Sequence, residues 1–348
     1  MKGRVIKLGF ISILTISLAA FILLFPAITA DGARDGLKIC GNIIIPSLFP
    51  FCVLTLFAEK SGIITILSKI LSPITKRILH LSGEKFCVLI MSSIGGFPVG
   101  ARLIRSLYDR GAISENEAKR TMLYSISGGP AFILTAVGSG ILGSAKLGQI
   151  FLISNMLSTL FLAIIIEMGA KNDLIIEKAP SCKISDALVE AVLDSSRAIL
   201  SICGWVILFS SLLSIIECGL FPQKIVFISS ILLEVTTAVI AAKNHPLLIP
   251  AILSFCGLCV HCQVYSALKE IAPKYPLFLL FRGIHALFST AITYLFIAND
   301  SSVISTISNN IIPNRNNVSF TYTSAFALIL LSILLIVSVG ANKKDKIM

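Results

Sequence analysis

Two stretches constrain the fold more than anything else in the chain: Gln149 to Ile166 and Phe320 to Val339 carry no formal charge. Each is about as long as the roughly 20 apolar residues needed to cross a bilayer as a helix. Further apolar runs lie near 37–58, 86–100, 121–142, 198–218, 224–242, 246–265 and 276–298. Across 348 residues, 55% are hydrophobic and only 14% charged, with a mean hydropathy of +0.92. A water-soluble domain carries about 25% charged residues. The composition excludes a cytosolic enzyme, a disordered chain and a disulfide-knit secreted module. It describes an all-α polytopic membrane protein.

The charge pattern orients the chain. The formal net charge is +11, and the basic residues fall in short segments between apolar runs, as with Arg102, Arg105, Arg110, Lys119 and Arg120. Cytoplasmic loops facing anionic lipid show this pattern, so nucleic acid is not an expected partner. Lys2, Arg4 and Lys7 precede the uncharged run Leu8 to Ile28. It resembles a signal peptide but is long for one, and a retained first helix with a cytoplasmic N-terminus is the preferred reading. The loop Asp300 to Asn317 carries only Asp300 and Arg315 and reads as the outer side, whereas the Lys343-Lys344-Asp345-Lys346 tail favours the cytoplasm. Both ends inside require an even number of crossings, and about eight are expected. Nine cysteines sit mostly inside apolar runs, where the thiol acts as a small hydrophobe.

The segments divide into an N-terminal helix (1–30), a first half (31–170), a polar connector (171–185), a second half (186–298), and a polar loop with a last helix and basic tail (299–348). The halves can be laid over each other weakly, as two gate-like repeats whose relation, direct or inverted, is open. Gly62 to Leu81 differs from the spans. Its Ile and Leu recur at helical spacing while Lys69, Lys76 and Arg77 take another face. That pattern suits an interfacial helix, with burial against the bundle as the alternative. Ser114-Glu115-Asn116-Glu117 forms a capping box that opens a helix.

Chemistry is expected where helices break. Gly95-Gly96-Phe97-Pro98, running on to Gly100 and Arg102, stops one helix and starts another, because Pro suits the first turn. Ser127-Gly128-Gly129-Pro130 repeats the device. In hydrocarbon, freed backbone groups are tolerated only where protein or a water-filled cavity satisfies them, so two breaks imply a cavity. Helix N-termini aimed into it suit an anion, with Arg102 as a counter-charge. In the second half Glu234, Thr236 and Thr237 stand in an apolar run, followed by His261, Gln263 and Arg282. A carboxylate at that depth marks a site or a buried pair. Glu234 could hold a coupling proton or cation, or pair with Arg282, and His261 could relay protons or simply pack. Cys256, Cys259, His261 and Cys262 invite a zinc reading, but the spacing is wrong for it, so no metal and no cofactor are expected. No nucleophile elbow, zincin motif, phosphate-binding loop or paired-carboxylate cluster supports an enzyme.

Several of these motifs carry a resemblance. Gly96-Phe97-Pro98-Val99-Gly100-Ala101, Leu107-Tyr108-Asp109-Arg110-Gly111, Ser127-Gly128-Gly129-Pro130, Cys256 through Gln263 and Arg282-Gly283-Ile284-His285-Ala286 resemble the sporulation integral membrane protein family of the YlbJ type. That family lies within the broader group with a nucleoside-recognition gate domain. The chain departs from the family pattern at Cys256, Cys259 and Cys262, which replace small residues, and at Thr237-Ala238, which replace Asn-Gly. The resemblance implies a role in endospore formation, in the outer membrane around the forespore, and a cargo such as dipicolinic acid. It also keeps a non-transporting scaffold for the spore cortex or envelope, or a nucleoside or metal-ion transporter, as alternatives. The partners expected are a small anionic solute and the lipid bilayer. Other sporulation membrane proteins or a second copy of the chain remain open.

Overall fold

The computed structural model describes Gly9, Ser12, Thr15, Ile16 and residues 19–170, 184–219 and 221–298. Among these residues every regular element is helical. The expected last helix at 321–340, the 171–183 part of the connector and the basic tail lie outside them. After a bend at Phe25, Pro26 opens α1 (Pro26–Ile39), which passes through a π-helical turn, π1 (Cys40–Ile44), into α2 (Ile45–Lys60). The chain continues through α3 (Ile63–Ile78), α4 (Gly83–Gly95), α5 (Phe97–Asp109), α6 (Glu115–Tyr124), a second π-helix π2 (Ala131–Ile141), and α7 (Ala145–Glu167). The second half comprises α8 (Ile184–Glu217), α9 (Gln223–Leu233), α10 (Val235–Ala241), α11 (Ile249–Phe255), α12 (Gly257–Leu268) and α13 (Tyr275–Ala298).

Five helices are long and apolar enough to cross a membrane, or six if the bent pair α3–α4 is one span. Eight crossings are not reached among the described residues, because several apolar runs are half-helices. The protein is a multi-pass integral membrane protein, with helices alone as its regular elements among the described residues.

Most of the ion pairs collect on one face, called here the basic face, while Arg34 pairs with Asp31 and Lys38 with Asp35 along α1. Lys60, at the end of α2, lies 3.0 Å from Glu190 and Asp194 near the start of α8. Arg110, just past α5, lies 2.9 Å from Glu59. The far end of α8 packs on α1: a Cβ on Gly32 would come within 2.4 Å of Ser214 Oγ. Only glycine lets the two backbones approach this closely. α8 therefore runs from the basic face to the opposite one.

This frame shows how each half is built. α4 and α5 form a hairpin whose open end is on the basic face and whose tip is Gly96. A Cβ on Gly100 in α5 would stand 2.7 Å from Ser92 Cβ in α4 and 2.6 Å from the Ser125 carbonyl. The hairpin is followed by a broken helix, α6 to π2, interrupted by the non-helical residues 125–129, and then by the full span α7. The second half repeats the order: α9 and α10 fold back on each other, α11 and α12 form a broken helix around Cys256, and α13 spans. Here the hairpin follows Glu217, at the far end of α8, so it starts from the opposite face. α12 reaches the basic face, where Arg105 lies 2.7 Å from Glu270. The halves are inverted repeats, the arrangement common to many carriers.

α3 makes a 97° bend with α4. Ile63, Ile66, Ile70, Ile74 and Ile78 are exposed along it, while Ile64, Thr65, Ser68 and Thr75 face the protein. This arrangement suits an interfacial helix lying across the bundle.

Sequence reading missed one strong element. Lys85, fully buried in α4, lies 2.9 Å from Glu167 at the end of α7 and 3.1 Å from Glu117 in α6. Arg120 lies 3.6 Å from Glu167, and Tyr124 donates to it at 3.4 Å. Two cations and two carboxylates thus clamp hairpin, broken helix and span together. The expected capping box is present as well, with Ser114 and Glu117 bonded reciprocally at 3.0 and 3.2 Å. Removing one partner of a buried pair costs about 3–5 kcal/mol because the other charge stays buried. Lys85→Met should therefore lower the thermal midpoint of the detergent-solubilised protein sharply, whereas Gly283→Ala, with open space around the added methyl, should leave it unchanged.

Candidate functional site

The hairpin tips meet the breaks. A Cβ on Gly129 would lie 3.2 Å from the backbone of Gly96, and one on Gly257 would lie 3.2 Å from that of Leu233 and Glu234. In each half the hairpin tip rests on the interrupted helix that follows it, with glycine at the contact. Gly96 (φ +86°) and Gly257 (φ +68°) also adopt a left-handed backbone that glycine takes without a steric penalty.

Between these two pairs lies an inner cavity of about 50 Å³. Its walls include Gly96, Phe97 and Pro98 from the first hairpin tip, Gly129 from the first break, Glu234, Val235 and Thr236 from the second tip, and Val260 and Gln263 from α12. Ile43, Ile44, Ser47, Leu48, Phe132, Ile202 and Val206 complete it. An open vestibule of about 410 Å³ shares Ile43 and Ser47 with it and is lined further by Asn42, Pro46, Ala131, Thr135 and Ala136. Both π-helices contribute to the vestibule, and π geometry is frequent at functional sites.

Of the sequence-predicted residues, Gly96, Phe97, Pro98, Gly129, Glu234, Thr236 and Gln263 therefore line one cavity. Gly95 ends α4, Gly100 lies in the first helical turn of α5, and Gly128 and Pro130 flank Gly129. Ser127 donates to Asn155 Oδ1 at 2.5 Å, and Asn155 Nδ2 donates to Ser254 at 3.2 Å, tying the first break to α7 and α11. Thr237 contributes its backbone N–H to Glu234 Oε2 at 2.7 Å, so Glu234 caps α10 at the hairpin tip and does not sit inside a straight span.

Arg102, Arg282 and His261 stand elsewhere. Arg102 is not part of the cavity wall. It lies one helical turn beyond Pro98, and a turn advances about 5.4 Å, here away from the tip. The buried Arg282 donates at 2.6 Å to the carbonyls of Leu123 and Ile126. These carbonyls lie just before and within the first break, so Arg282 supplies donors that the interrupted ladder lost, and it forms no ion pair with Glu234. His261 plays the same part at the second break: its Nε2 lies 2.8 Å from the Phe255 carbonyl and its Nδ1 lies 3.2 Å from Tyr275 Oη. Phe255, Tyr275 and Phe278 pack edge-on around its ring. Cys256 donates to backbone carbonyls and Cys259 accepts from Gln263; the Cys-His cluster is spent on these contacts.

The sequence reading also missed Ser47, Phe132 and Asn155. Only Asn155 left a trace, as a carboxamide in the middle of the uncharged stretch Gln149 to Ile166.

Fold and site together define a class: a polytopic membrane protein with two re-entrant hairpins and two broken helices around a central cavity. The Gate family, described as nucleoside recognition, matches residues 43–171, from π1 through the first half. A curated relative is the sporulation integral membrane protein YlbJ of Bacillus subtilis (strain 168), 25% identical, with the alignment covering 77% of this chain and 78% of the relative. The resemblance carried by the Gly96–Ala101 and Ser127–Pro130 motifs thus holds for both the family domain and a named relative. No solved structure matches the chain.

A buried carbonyl left without its donor costs about 1–3 kcal/mol. Arg282→Leu strands two of them, so it should depress the thermal midpoint strongly. Glu234→Gln retains an acceptor for the Thr237 N–H and should leave the midpoint close to that of the wild type.

Proposed function

We propose that this protein is a carrier serving endospore formation, and that it moves a small anionic solute such as dipicolinic acid across the outer forespore membrane. One observation carries the transport reading: re-entrant hairpins starting from opposite faces bring their tips to one cavity, which shares a wall with an open vestibule. A scaffold has no need to hold half-helices around an internal space, where every freed backbone group must find a partner. The endospore role rests on the relative's name. The choice of an anion rests on the thirteen-residue helix α5, whose N-terminus opens at the cavity through Gly96 and Phe97. The positive end of such a helix favours a carboxylate, and dipicolinic acid is a flat dicarboxylate with a ring nitrogen.

A second reading has its own support. Ser47, Thr236, Gln263 and Glu234 offer hydrogen-bonding groups of the kind that hold hydroxyls and amides, and the Gate match points toward nucleosides. In the cavity of about 50 Å³ neither solute has room as it stands. Binding of either requires the hairpins to part, as alternating access demands.

The test is the partition of dipicolinic acid in a sporulating deletion strain, assayed separately in mother cell and forespore. Normal synthesis with the acid retained in the mother cell is the expected result. Normal acid inside the forespore would contradict this cargo and move a nucleoside carrier or a cortex scaffold to first place.

A further inference from the structure

The inner cavity holds a charge problem. Glu234 is the one charged residue on its wall, and it is 1% exposed. Its Oε2 accepts the Thr237 N–H at 2.7 Å, while Oε1 has no hydrogen-bond partner among the described residues. The elements packed on α9 and α10 are α8, α11, α12 and π2. π2 and α11 carry no titratable side chain. α8 brings Cys203 to this level and α12 brings Cys259, with Cys40 of π1 beside them. On α8, Asp186, Glu190, Asp194 and Glu217 lie toward the two faces, and Arg197, 79% exposed, turns outward to Asp194. On α12, His261 is held by Phe255 and Tyr275, Cys262 and Tyr265 pack among apolar and aromatic neighbours, and Tyr265 donates to the Pro273 carbonyl. No cation faces Glu234 from any of these elements, and Arg282 is committed to Leu123 and Ile126.

An unpaired carboxylate within a membrane is costly, and it also repels an incoming dicarboxylate. Around it the wall supplies neutral oxygens, from Ser47, Thr236 and Gln263. Oxygen ligands suit small hard cations. A single carboxylate balances one positive charge, and a divalent ion would leave a buried surplus. A water needs about 10–15 Å³, so about 50 Å³ accommodates an ion with a few waters.

We propose that Glu234, with Ser47, Thr236 and Gln263, binds a sodium ion that must load before an anionic cargo can enter. The binding of the cation stands on the cavity alone; its coupling to cargo rests on the carrier reading above.

The chain carries its own reporter. Trp205 is the sole tryptophan, and it packs on the same apolar cluster as Leu233, beside Glu234. The purified full-length protein in detergent is titrated with sodium chloride against choline chloride at fixed pH, then with pH in sodium-free buffer, with no cargo present. Wild type and Glu234→Gln are compared by Trp205 fluorescence and thermal midpoint, and equal midpoints in choline establish that the variant is folded. The expected result is a saturable fluorescence change and a raised midpoint in the wild type, since a ligand bound only to the folded state stabilises it, with apparent affinity weakened at least tenfold in Glu234→Gln. A response to sodium supports the proposal, and a response to pH alone contradicts it. Identical behaviour of wild type and Glu234→Gln in both titrations overturns the proposal. Because no cargo is used, a failure of dipicolinic acid transport is read separately.

Discussion

The structure depends on one constraint: backbone groups freed inside a membrane must find partners within the protein. Both broken helices meet it with side chains, one from a distant helix and one from just across the break. Arg282 of α13 bonds the Leu123 and Ile126 carbonyls, and His261 of α12 bonds the Phe255 carbonyl across the break at Cys256. Glu234 does the same for a free N–H at the second hairpin tip. With these debts met locally, the cavity wall is left with neutral polar groups and one carboxylate. A substitution that strands a carbonyl should therefore unfold the site before it alters selectivity.

The inverted repeat gives this chemistry its symmetry. Gly129 against Gly96 and Gly257 against Glu234 are equivalent contacts, each of a hairpin tip on the helix break that follows it. The match is not complete. Lys85, Glu117, Glu167 and Arg120 clamp the first half on the basic face, whereas the vestibule opens between the two π-helices. The first half is sealed on the basic face by buried charge, and the vestibule is lined by Asn42, Ser47 and Thr135 among others.

Much of this was legible in the sequence where glycine and proline fix the backbone. The breaks at Gly96–Pro98 and Ser127–Pro130 could be placed because those residues cannot continue a helix smoothly, and the membrane class followed from uncharged runs such as Gln149 to Ile166. What could not be read was direction. A Gly-Gly-Phe-Pro string says that the helix stops, yet it does not distinguish a kink from a reversal, and the reversal is what sends Arg102 away from the cavity. Arg282 and His261 were found as polar residues in apolar runs, but their carbonyl partners lie far off in sequence or across a break. The Lys85 clamp was missed for the same reason: its carboxylates come from two other helices and only tertiary structure collects them.

The central claim is that the two hairpins enter from opposite faces of the membrane, and thiol labelling tests it most directly. Asp109→Cys at the open end of the first hairpin and Asn244→Cys just past the second, both at exposed positions, are placed singly in a chain whose native cysteines are replaced. Each is treated with a membrane-impermeant maleimide in intact cells and in inverted vesicles. The structure predicts that the Asp109 position labels only in inverted vesicles and the Asn244 position only in intact cells. Labelling of both from the same side would contradict the inverted arrangement and the shared cavity built on it.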